Sequence, residues 1–462
     1  MAKRECPGCQ KLARRVAELE ALVRELQARL GVNATNSSLP PSANPPGAPA
    51  PVAKPPTGRS PGAQPGHPAC LRRRLPPERL TRVQHFVPAA CDRCQAALNP
   101  EPAPGDPQPR WHQVAELPAA PAEVVEYQAH GRTCACCGTL TWAAIPDDLR
   151  AHAFGPRLAA SVAYLSGSPH VSKRGIEEVV ETLFGVPIAL GSIANLEQEA
   201  SAALAAAHAD ARAAVREAPV KHVDETGWKR AGTRCWLWGA ATAAVACFVI
   251  HPSRGAAGLF ALLGRRIKGL VCSDRWGVYG RLPAGRRQVC WAHLKRDFRK
   301  LADRGGEAKE VGEFGLALTG LVFELWHLFR GGGISRSQLR RDMREWRELL
   351  HDQLERGRAC ADAKASAFCA NVLAVEAAVW AFVDREGVEP TNNHMERLLR
   401  SGVLWRKSAF GCHSESGCRF VERILTVVQT LRLQQRPVLE FLHQAIIAHR
   451  HGTAAPQLLP AG

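Results

Sequence analysis

The stretch HVDETGW, His222–Trp228, places two carboxylates, Asp224 and Glu225, between an apolar approach and a glycine. A short apolar run that ends at a glycine turn predicts a β-strand. Acidic pairs at such turns are usually solvated, so this pair alone does not indicate a catalytic site. It becomes informative only if other strands also end in carboxylates.

After Pro219 the sequence contains five short runs with strand character, separated by turns. They are VKHVDETGW, RCWLWGAAT, AVACFVIHP, GLVCSDRWGVYG and RQVCWAHLKRDF. Asp224 follows the apolar part of the first run, and Asp274 follows that of the fourth. Carboxylates at the ends of neighbouring strands suit Mg²⁺, which keeps positions for water and substrate phosphate. The pattern predicts a divalent-metal site that needs a third carboxylate.

Glu396, in PTNNHMERLLRSGVLWRK, is the candidate third ligand and lies near the start of a predicted helix. Each carboxylate also has a simpler interpretation: Asp224 as a turn residue, Asp274 as a cap, and Glu396 as the capping-box partner of Asn393. The cations that follow Glu396 suit phosphates: Arg397, Arg400, Arg406 and Lys407. Three cations near the first carboxylate are also expected to hold DNA: Lys221, Lys229 and Arg230.

Composition favours a globular, multidomain protein with an acidic partner. The 462 residues suggest roughly two to four domains. The net charge of +17 favours nucleic acid as the partner. No signal pattern opens the sequence, and the uncharged run Cys235–Ile250 is short for a membrane span and fits two strands around a turn better. We therefore expect a cytoplasmic, nucleoid-associated protein without a membrane segment, whose 16 cysteines serve as thiols and metal ligands rather than disulfides.

The N-terminal region, residues 1–37, predicts a zipper-like helix. Its apolar residues alternate spacings of four and three, as in a coiled coil: Leu12, Val16, Leu19, Val23, Leu26 and Leu30. Self-association and packing of the helix on its own domain are both open. Residues 38–84 form a Pro-rich, basic linker that either tracks a DNA backbone through cations such as Arg72, Arg73 and Arg74 or serves as a soluble spacer.

Two CxxC pairs, Cys91 with Cys94 and Cys134 with Cys137, predict a zinc-binding module over residues 85–145. The alternative is a set of buried free thiols. Residues 150–216 then have helical periodicity, and GIEEVVETLFGVPIALGSIANL has the length of a helix-turn-helix. This unit either reads DNA or is a helical hairpin of the core.

Residues 217–425 are the expected α/β catalytic domain, interrupted by a helical insertion at about 303–388, and residues 426–462 are a C-terminal helix and tail. The insertion is expected to shield the site or to contact DNA. Cys290 and His293 follow the fifth strand at the start of a helix. We interpret this pair as structural, with a metal role as the alternative.

The sequence resembles the transposases of the insertion-sequence sixty-six family along nearly its whole length. The similarity rests on HVDETGW, CWLW, SDRWGVY, CWAHLKRDF, PTNNHMERLLR and LWRKSAFGCHSESGCRFVERILTVVQTLRLQ, with the zipper, the linker and the paired knuckles. The resemblance implies a ribonuclease-H-like catalytic domain with an Asp, Asp, Glu triad, carried over to Asp224, Asp274 and Glu396. His394 and Met395 stand where the family often has small or acidic residues.

The resemblance implies a multidomain α+β enzyme that cleaves DNA at the terminal inverted repeats of an insertion sequence and joins the end to target DNA. The expected cofactors are Mg²⁺ or Mn²⁺ at the triad and structural Zn²⁺. The expected partners are terminal-repeat and target DNA, a second copy of the chain and accessory proteins encoded by the same element. Two alternatives remain open: a zinc-dependent DNA-binding protein with an inactive nuclease fold, and a nuclease that only hydrolyses.

Overall fold

The structure, a computed structural model, describes residues 15–16, 74–101, 104, 106–117 and 122–459. The chain divides into two compact units, residues 49–121 in one and residues 1–48 with 122–462 in the other. The predicted zipper helix lies outside the described residues except for Arg15 and Val16, which are helical. Most of the Pro-rich linker, including Arg72 and Arg73, also lies outside them.

The described part of the smaller unit has little regular structure. It contains a 3₁₀ helix, Pro77–Arg79, and an antiparallel bridge between Ala90 and Ala97. No apolar side chain of these described residues is buried, and Phe86 is 89% exposed. This part of the chain therefore gains little stability from an apolar core.

The larger unit opens with a small hairpin and a run of helices. Strands β1 (Gly131–Thr133) and β2 (Leu140–Trp142) pair antiparallel. The helices that follow are α1 (Asp147–Arg150), α2 (Pro156–Gly167), α3 (Lys173–Phe184), α4 (Leu190–Ala203) and α5 (Ala205–Glu217). The predicted helix-turn-helix corresponds to α3 and α4. Both helices bury apolar residues in the main core, including Ile176, Val180 and Ile193.

The centre of this unit is a sheet of five strands, each of which overlaps one predicted run. They are β3 (Val220–Arg230), β4 (Thr233–Ala241), β5 (Ala246–His251), β6 (Leu270–Ser273) and β7 (Arg287–Val289). Their order is β5-β4-β3-β6-β7. The first three are antiparallel, and β6 and β7 run parallel to β3. The uncharged run Cys235–Ile250 thus lies in β4, a turn and β5, as predicted.

Helices cover both faces of the sheet. They are α6 (Ala256–Leu263), α7 (Trp291–Ala302), α8 (Gly306–Arg330), α9 (Arg336–Arg358), α10 (Ala363–Leu373), α11 (Glu376–Val379), α12 (Ala381–Asp384), α13 (Asn393–Ala409), α14 (Glu415–Leu433) and α15 (Val438–His451). One core joins α2 to α6 with one sheet face, and a second joins β6 and β7 with α7 to α12. A third core packs α13 and α14 on β4 and β5.

Helix α14 covers the free edge of β5. Thr430, Thr426 and Glu422 are spaced by four residues and accept hydrogen bonds from alternate backbone N–H groups of β5, at 3.0, 3.0 and 2.6 Å. An edge strand with open N–H groups is prone to pairing with other chains. These side chains complete the hydrogen bonding of the open N–H groups of β5 and fix α14 against the sheet.

Helix α8 is 25 residues long and has the length and composition of a membrane span, with 39% of its most apolar stretch buried. It packs between α7 and α9 and contributes Val311, Leu318 and Val322 to the second core. Helices of soluble cores meet the same test, so composition alone is weak evidence for a span. The helices over 306–384 lie where the sequence predicts an insertion.

Candidate active site

Asp224 and Glu225 point to opposite faces of the sheet, because successive side chains alternate along a strand. The partner of Asp224 on β4 is Gly239, and the partner of Glu225 is Trp238. A Cβ at Gly239 would overlap the side chain of Met395 on α13. The glycine therefore lets α13 approach closely on the face that carries Asp224.

Asp274 follows β6 at the level of Asp224. In the parallel pairing of β3 with β6, His222 lies opposite Cys272. Two residues further along each strand are Asp224 and Asp274, so the register directs both to the same part of the sheet. One oxygen of Asp274 accepts a hydrogen bond from the Trp276 backbone N–H at 2.9 Å. This bond fixes the turn that carries the second carboxylate.

Glu396 lies in the first turn of α13, and Asn392 joins this turn to β3. The Asn392 side chain donates to the Val223 carbonyl at 2.9 Å and bonds to His222 Nδ1 at 3.1 Å. The Asn392 carbonyl accepts from the Glu396 N–H at 3.2 Å. Asn392 is 1% exposed. It therefore connects the third carboxylate to the residue that precedes Asp224.

The simpler capping-box interpretation of Glu396 is wrong. The N-cap of α13 is Asn392, which makes no side-chain capping bond, and Asn393 is the first helical residue. Asn393 is exposed, whereas Asn392 is buried. Sequence reasoning missed Asn392 because its partners on β3 are about 170 residues away. The one local signal for Asn392 was its position in an Asn-Asn pair just before the helix that carries Glu396.

Glu396 also contacts α7. Its Oε1 lies 3.5 Å from His293 Nδ1 and 3.9 Å from Arg296 Nη2. Glu396 Oε1 and His293 Nδ1 are both buried and lack hydrogen-bond partners. Within the described part of the chain, one set of three or more potential ligands has all donor atoms within 4.8 Å of one another: Cys290, His293 and Glu396.

The surroundings of Cys290 favour its structural interpretation. Burial raises the pKa of the Cys290 thiol to about 11, so the sulfur is protonated near neutral pH. Its Sγ accepts a hydrogen bond from the Asn392 N–H at 3.2 Å. Burial, followed by the nearby Arg296, lowers the pKa of His293. A neutral His293 facing Glu396 is suited to orient that carboxylate.

The electrostatics of Asp224 fit a divalent cation. Burial raises its pKa well above the usual range, and the negative charges of Glu225, Asp274 and Glu396 raise it further. A cation held by Asp224, Asp274 and Glu396 would offset this repulsion and use the unpartnered Glu396 Oε1. Three carboxylates form the hard-oxygen donor set that Mg²⁺ prefers, whereas Cys290 and His293 with Glu396 would suit zinc better.

Glu225 belongs to a separate polar network on the opposite face. Its side chain is 1% exposed and forms an ion pair with Arg254 at 2.9 Å. The Tyr279 hydroxyl donates to its other oxygen at 2.7 Å. Arg254 lies against the rings of Trp236 and Trp276, at 4.7 and 4.2 Å from their centroids. Glu225 is thus held by structural partners.

The cations predicted near the first carboxylate differ in whether their charged groups are exposed and free to contact DNA. Lys221 is fully buried and donates to the Arg216 carbonyl at 2.6 Å, so the expectation that it holds DNA is wrong. Arg230 forms an ion pair with Glu415. Lys229 is exposed on the same strand.

The cations predicted on α13 also divide into one that is bonded to β3 and others that are exposed. Arg406 donates to the Gly227 carbonyl and, at 3.3 Å, to the Thr226 hydroxyl, so it holds β3. Arg397 and Arg400 are exposed and line a cavity of about 520 Å³ with Arg432. Lys407 is exposed near the end of α13. In the smaller unit, Arg74 lies over the ring of Trp111 at 5.6 Å.

The two CxxC knuckles have the same local backbone geometry. Cys91 N–H donates to the Ala96 carbonyl, and Cys134 N–H donates to the Thr139 carbonyl, both at 2.9 Å. The fifth residue of each turn has a positive φ and donates back to the first cysteine: Gln95 (59°) and Gly138 (71°). The first knuckle lies in the 49–121 unit and the second in the other unit. The shared zinc site stays a prediction.

Hydrogen bonds within the knuckles favour thiolates. The pKa of Cys91 is lowered chiefly by the Cys94 backbone N–H, and that of Cys137 chiefly by the Thr139 side chain. Thiolates are the form that binds zinc. All four sulfurs lie on exposed or half-buried residues rather than in a core, which disfavours the alternative of buried free thiols.

The carboxylates, the adjacent cations and the mixed α+β fold are compatible with the class of nucleic-acid-processing enzymes. The family model described as "Transposase IS66 family" matches residues 152–419, more than half of the chain. The protein belongs to the IS66 family of transposases. Transposases as a class act on DNA, and enzymes of this kind generally use a divalent metal.

Two further similarities cover other parts of the sequence. A family of unknown function (DUF6444) matches residues 7–73. The chain is 24% identical over 254 residues to the uncharacterized protein y4qI of Sinorhizobium fredii, an alignment that covers 49% of this chain and 46% of that protein. The chain thus spans about half the length of this relative, whose printed name assigns no activity.

Proposed function

We propose that the protein cleaves DNA at the terminal inverted repeats of an insertion sequence and joins the freed end to target DNA. Asp224, Asp274 and Glu396 are the catalytic residues. One observation supports this function most directly: burial raises the pKa of Asp224 on β3, and the negative charges of Glu225, Asp274 and Glu396 raise it further. Repulsion among buried carboxylates is typical of a functional site, and a bound divalent cation would offset it.

The sheet supports a ribonuclease-H-like assignment for the catalytic domain. Its order is β5-β4-β3-β6-β7, with three antiparallel strands followed by two parallel ones. In this fold the first strand is central and carries the first carboxylate, as β3 carries Asp224. An inactive nuclease fold gives no reason to retain all three carboxylates, so catalysis is favoured over DNA binding alone.

The chain's own residues prepare the site. Asp224, Asp274 and Glu396 would hold Mg²⁺ or Mn²⁺. Such cations, when bound, activate an attacking water and stabilise the leaving 3′ oxygen of DNA. Asn392 fixes the start of α13, which carries Glu396, to β3, and His293 on α7 lies 3.5 Å from the Glu396 carboxylate. The same carboxylates serve the second step, in which a 3′ hydroxyl of the DNA attacks the target, so no protein nucleophile is needed.

DNA reaches this site along a basic surface. Arg397 and Arg400 extend from α13 directly after Glu396 and bind phosphates, with Lys229 and Lys407 at its margins. Arg72, Arg73 and Arg74 in the linker add contacts outside the catalytic domain. Salt weakens such binding steeply, because cations are released from the phosphate backbone.

Other segments organise the complex. Zinc held by Cys91, Cys94, Cys134 and Cys137 stabilises the module that follows the linker. The N-terminal zipper brings two copies of the chain together at paired DNA ends. The protein acts in the cytoplasm on the nucleoid, with accessory proteins encoded by the same element.

Strand transfer in vitro tests this function. A duplex that carries the inverted repeat flanking the coding region is incubated with the protein, target plasmid and Mg²⁺. Wild-type protein should nick the repeat and join its 3′ end to the plasmid, whereas Asp274→Asn should do neither and still bind the repeat. Wild-type protein that binds but never cleaves or joins would support the inactive alternative, and cleavage without joining would support a hydrolytic nuclease.

A further inference from the structure

A cavity of about 710 Å³ lies between α7, α8 and the start of α13. Ligand pockets typically enclose about 300–1,000 Å³. Arg296 lines this cavity and also lies 3.9 Å from Glu396 Oε1, so the cavity adjoins the proposed catalytic site. It is formed by the helical insertion on one side and by the catalytic core on the other.

One wall of the cavity is cationic. Lys295 and Arg299 reach it from α7 and Arg397 from α13, and all three are exposed. Among the residues that the structure describes, these three have no carboxylate within 4.0 Å. The carboxylate of Glu389 also lines the cavity but is paired with Arg330 at 2.6 Å. The wall therefore carries a net positive charge suited to phosphate.

The wall formed by α8 is mainly apolar. Leu316 and Phe323 are half-buried there, and Trp326, 7% exposed, also lines the cavity, as do His327 and Arg330 near the end of the helix. A duplex backbone would contact the cations but leave this wall in water. An apolar surface facing uncompensated cations fits a ligand with a flat apolar part and an attached phosphate.

We propose that this cavity binds a single unpaired nucleotide of the DNA substrate. The base lies against Phe323 and Leu316, and the flanking phosphates contact Lys295, Arg299 and Arg397. A paired base must first be unstacked and unpaired, at a cost of a few kcal/mol, so the cavity favours DNA that is already unpaired beside the cleaved bond. This inference rests on the proposed DNA substrate.

Binding to a bulged duplex tests the inference without catalysis. The probe is a duplex with one extrahelical 2-aminopurine, compared with the fully paired duplex, and full-length protein is titrated in EDTA. Wild-type protein should prefer the bulge by about ten-fold and quench its fluorescence, because base stacking on aromatic side chains has this magnitude. Phe323→Ala and Arg299→Ala should each remove most of that preference.

Matched variants separate the cavity from general effects. Leu321→Ala lies on the same helix but does not line the cavity, and Arg344→Ala removes an exposed cation from α9; both should retain the preference. Phe323→Leu keeps an apolar side chain in the core but lacks the ring, so it should fold and still lose quenching. The assay measures binding and not cleavage. Its result can therefore be interpreted even if the protein proves not to cleave DNA.

Two outcomes would overturn the inference. If wild-type protein binds the bulged and paired duplexes equally, the cavity does not select an unpaired nucleotide. If Arg299→Ala weakens binding but both Phe323 variants match wild type, the cavity holds phosphates alone. In either case, strand transfer by the same preparation would leave the proposed function intact.

Discussion

Asp224 and Glu225 are neighbours in sequence with different surroundings. Asp224 faces α13, and Glu225 is held by Arg254 and Tyr279 on the other face. We expect Asp224→Asn to abolish cleavage of a terminal-repeat duplex in Mg²⁺ while DNA binding persists or improves, because a charge that repels phosphate is removed. Glu225→Gln should retain most activity, because glutamine still accepts from Tyr279. Normal cleavage by Asp224→Asn, or equal loss in both variants, would contradict the assignment.

Lys221 allows a test of pH dependence at a single buried group. Burial lowers its pKa to about 8. Because the native pKa lies below the unfolded value of about 10.4, the energetic cost of the buried charge is full below pH 8 and disappears as pH rises toward 10. The stability of Lys221→Met relative to wild type should therefore fall by roughly 2 kcal/mol between pH 7 and pH 10.

Urea unfolding at the two pH values measures this difference. Lys229→Met is the matched control, because Lys229 lies on the same strand but is exposed. Its stability relative to wild type should not change over this range. A constant difference for Lys221→Met would show that the lysine is not buried as a charged group.

At the level of elements, the strands could be predicted from sequence, but their pairing and their tertiary contacts could not. The five runs after Pro219 have local signals, short apolar stretches and turns, and each overlaps a strand. The alignment of Asp224 with Asp274 follows only from the pairing of β3 with β6. The contacts of Glu396 with His293 and of Asn392 with β3 depend on tertiary packing, which no local pattern encodes.

Asn392 tests how firmly α13 must be fixed to β3. Asn392→Ala removes two buried side-chain hydrogen bonds and should lower stability by about 1–3 kcal/mol. It should also raise the Mg²⁺ concentration for half-maximal cleavage by about ten-fold, because Glu396 loses its orientation. Asn393→Ala is the matched control and should change neither quantity. Lower stability with an unchanged Mg²⁺ requirement would limit Asn392 to a structural role.

At the scale of the whole molecule, buried apolar side chains are distributed unequally between the described parts of the two units. The larger unit is stabilised without any ligand by its first and second cores and by the covered edge of β5. The described part of the 49–121 unit buries no apolar side chain, and Leu117 is 88% exposed. A structural metal is one means of stabilising such a small, loop-rich segment.

We expect one zinc ion per full-length chain, bound by Cys91, Cys94, Cys134 and Cys137. The two knuckles share one backbone geometry, and thiolates bind zinc at about 2.3 Å. Cys134→Ser should lose the zinc, as measured by metal analysis of the purified protein. Cys136→Ser is the matched control within the same turn and should keep it, because the paired CxxC spacing leaves this cysteine spare. Absence of zinc from wild-type protein, or equal loss in both variants, would show that the knuckles are turns without a metal.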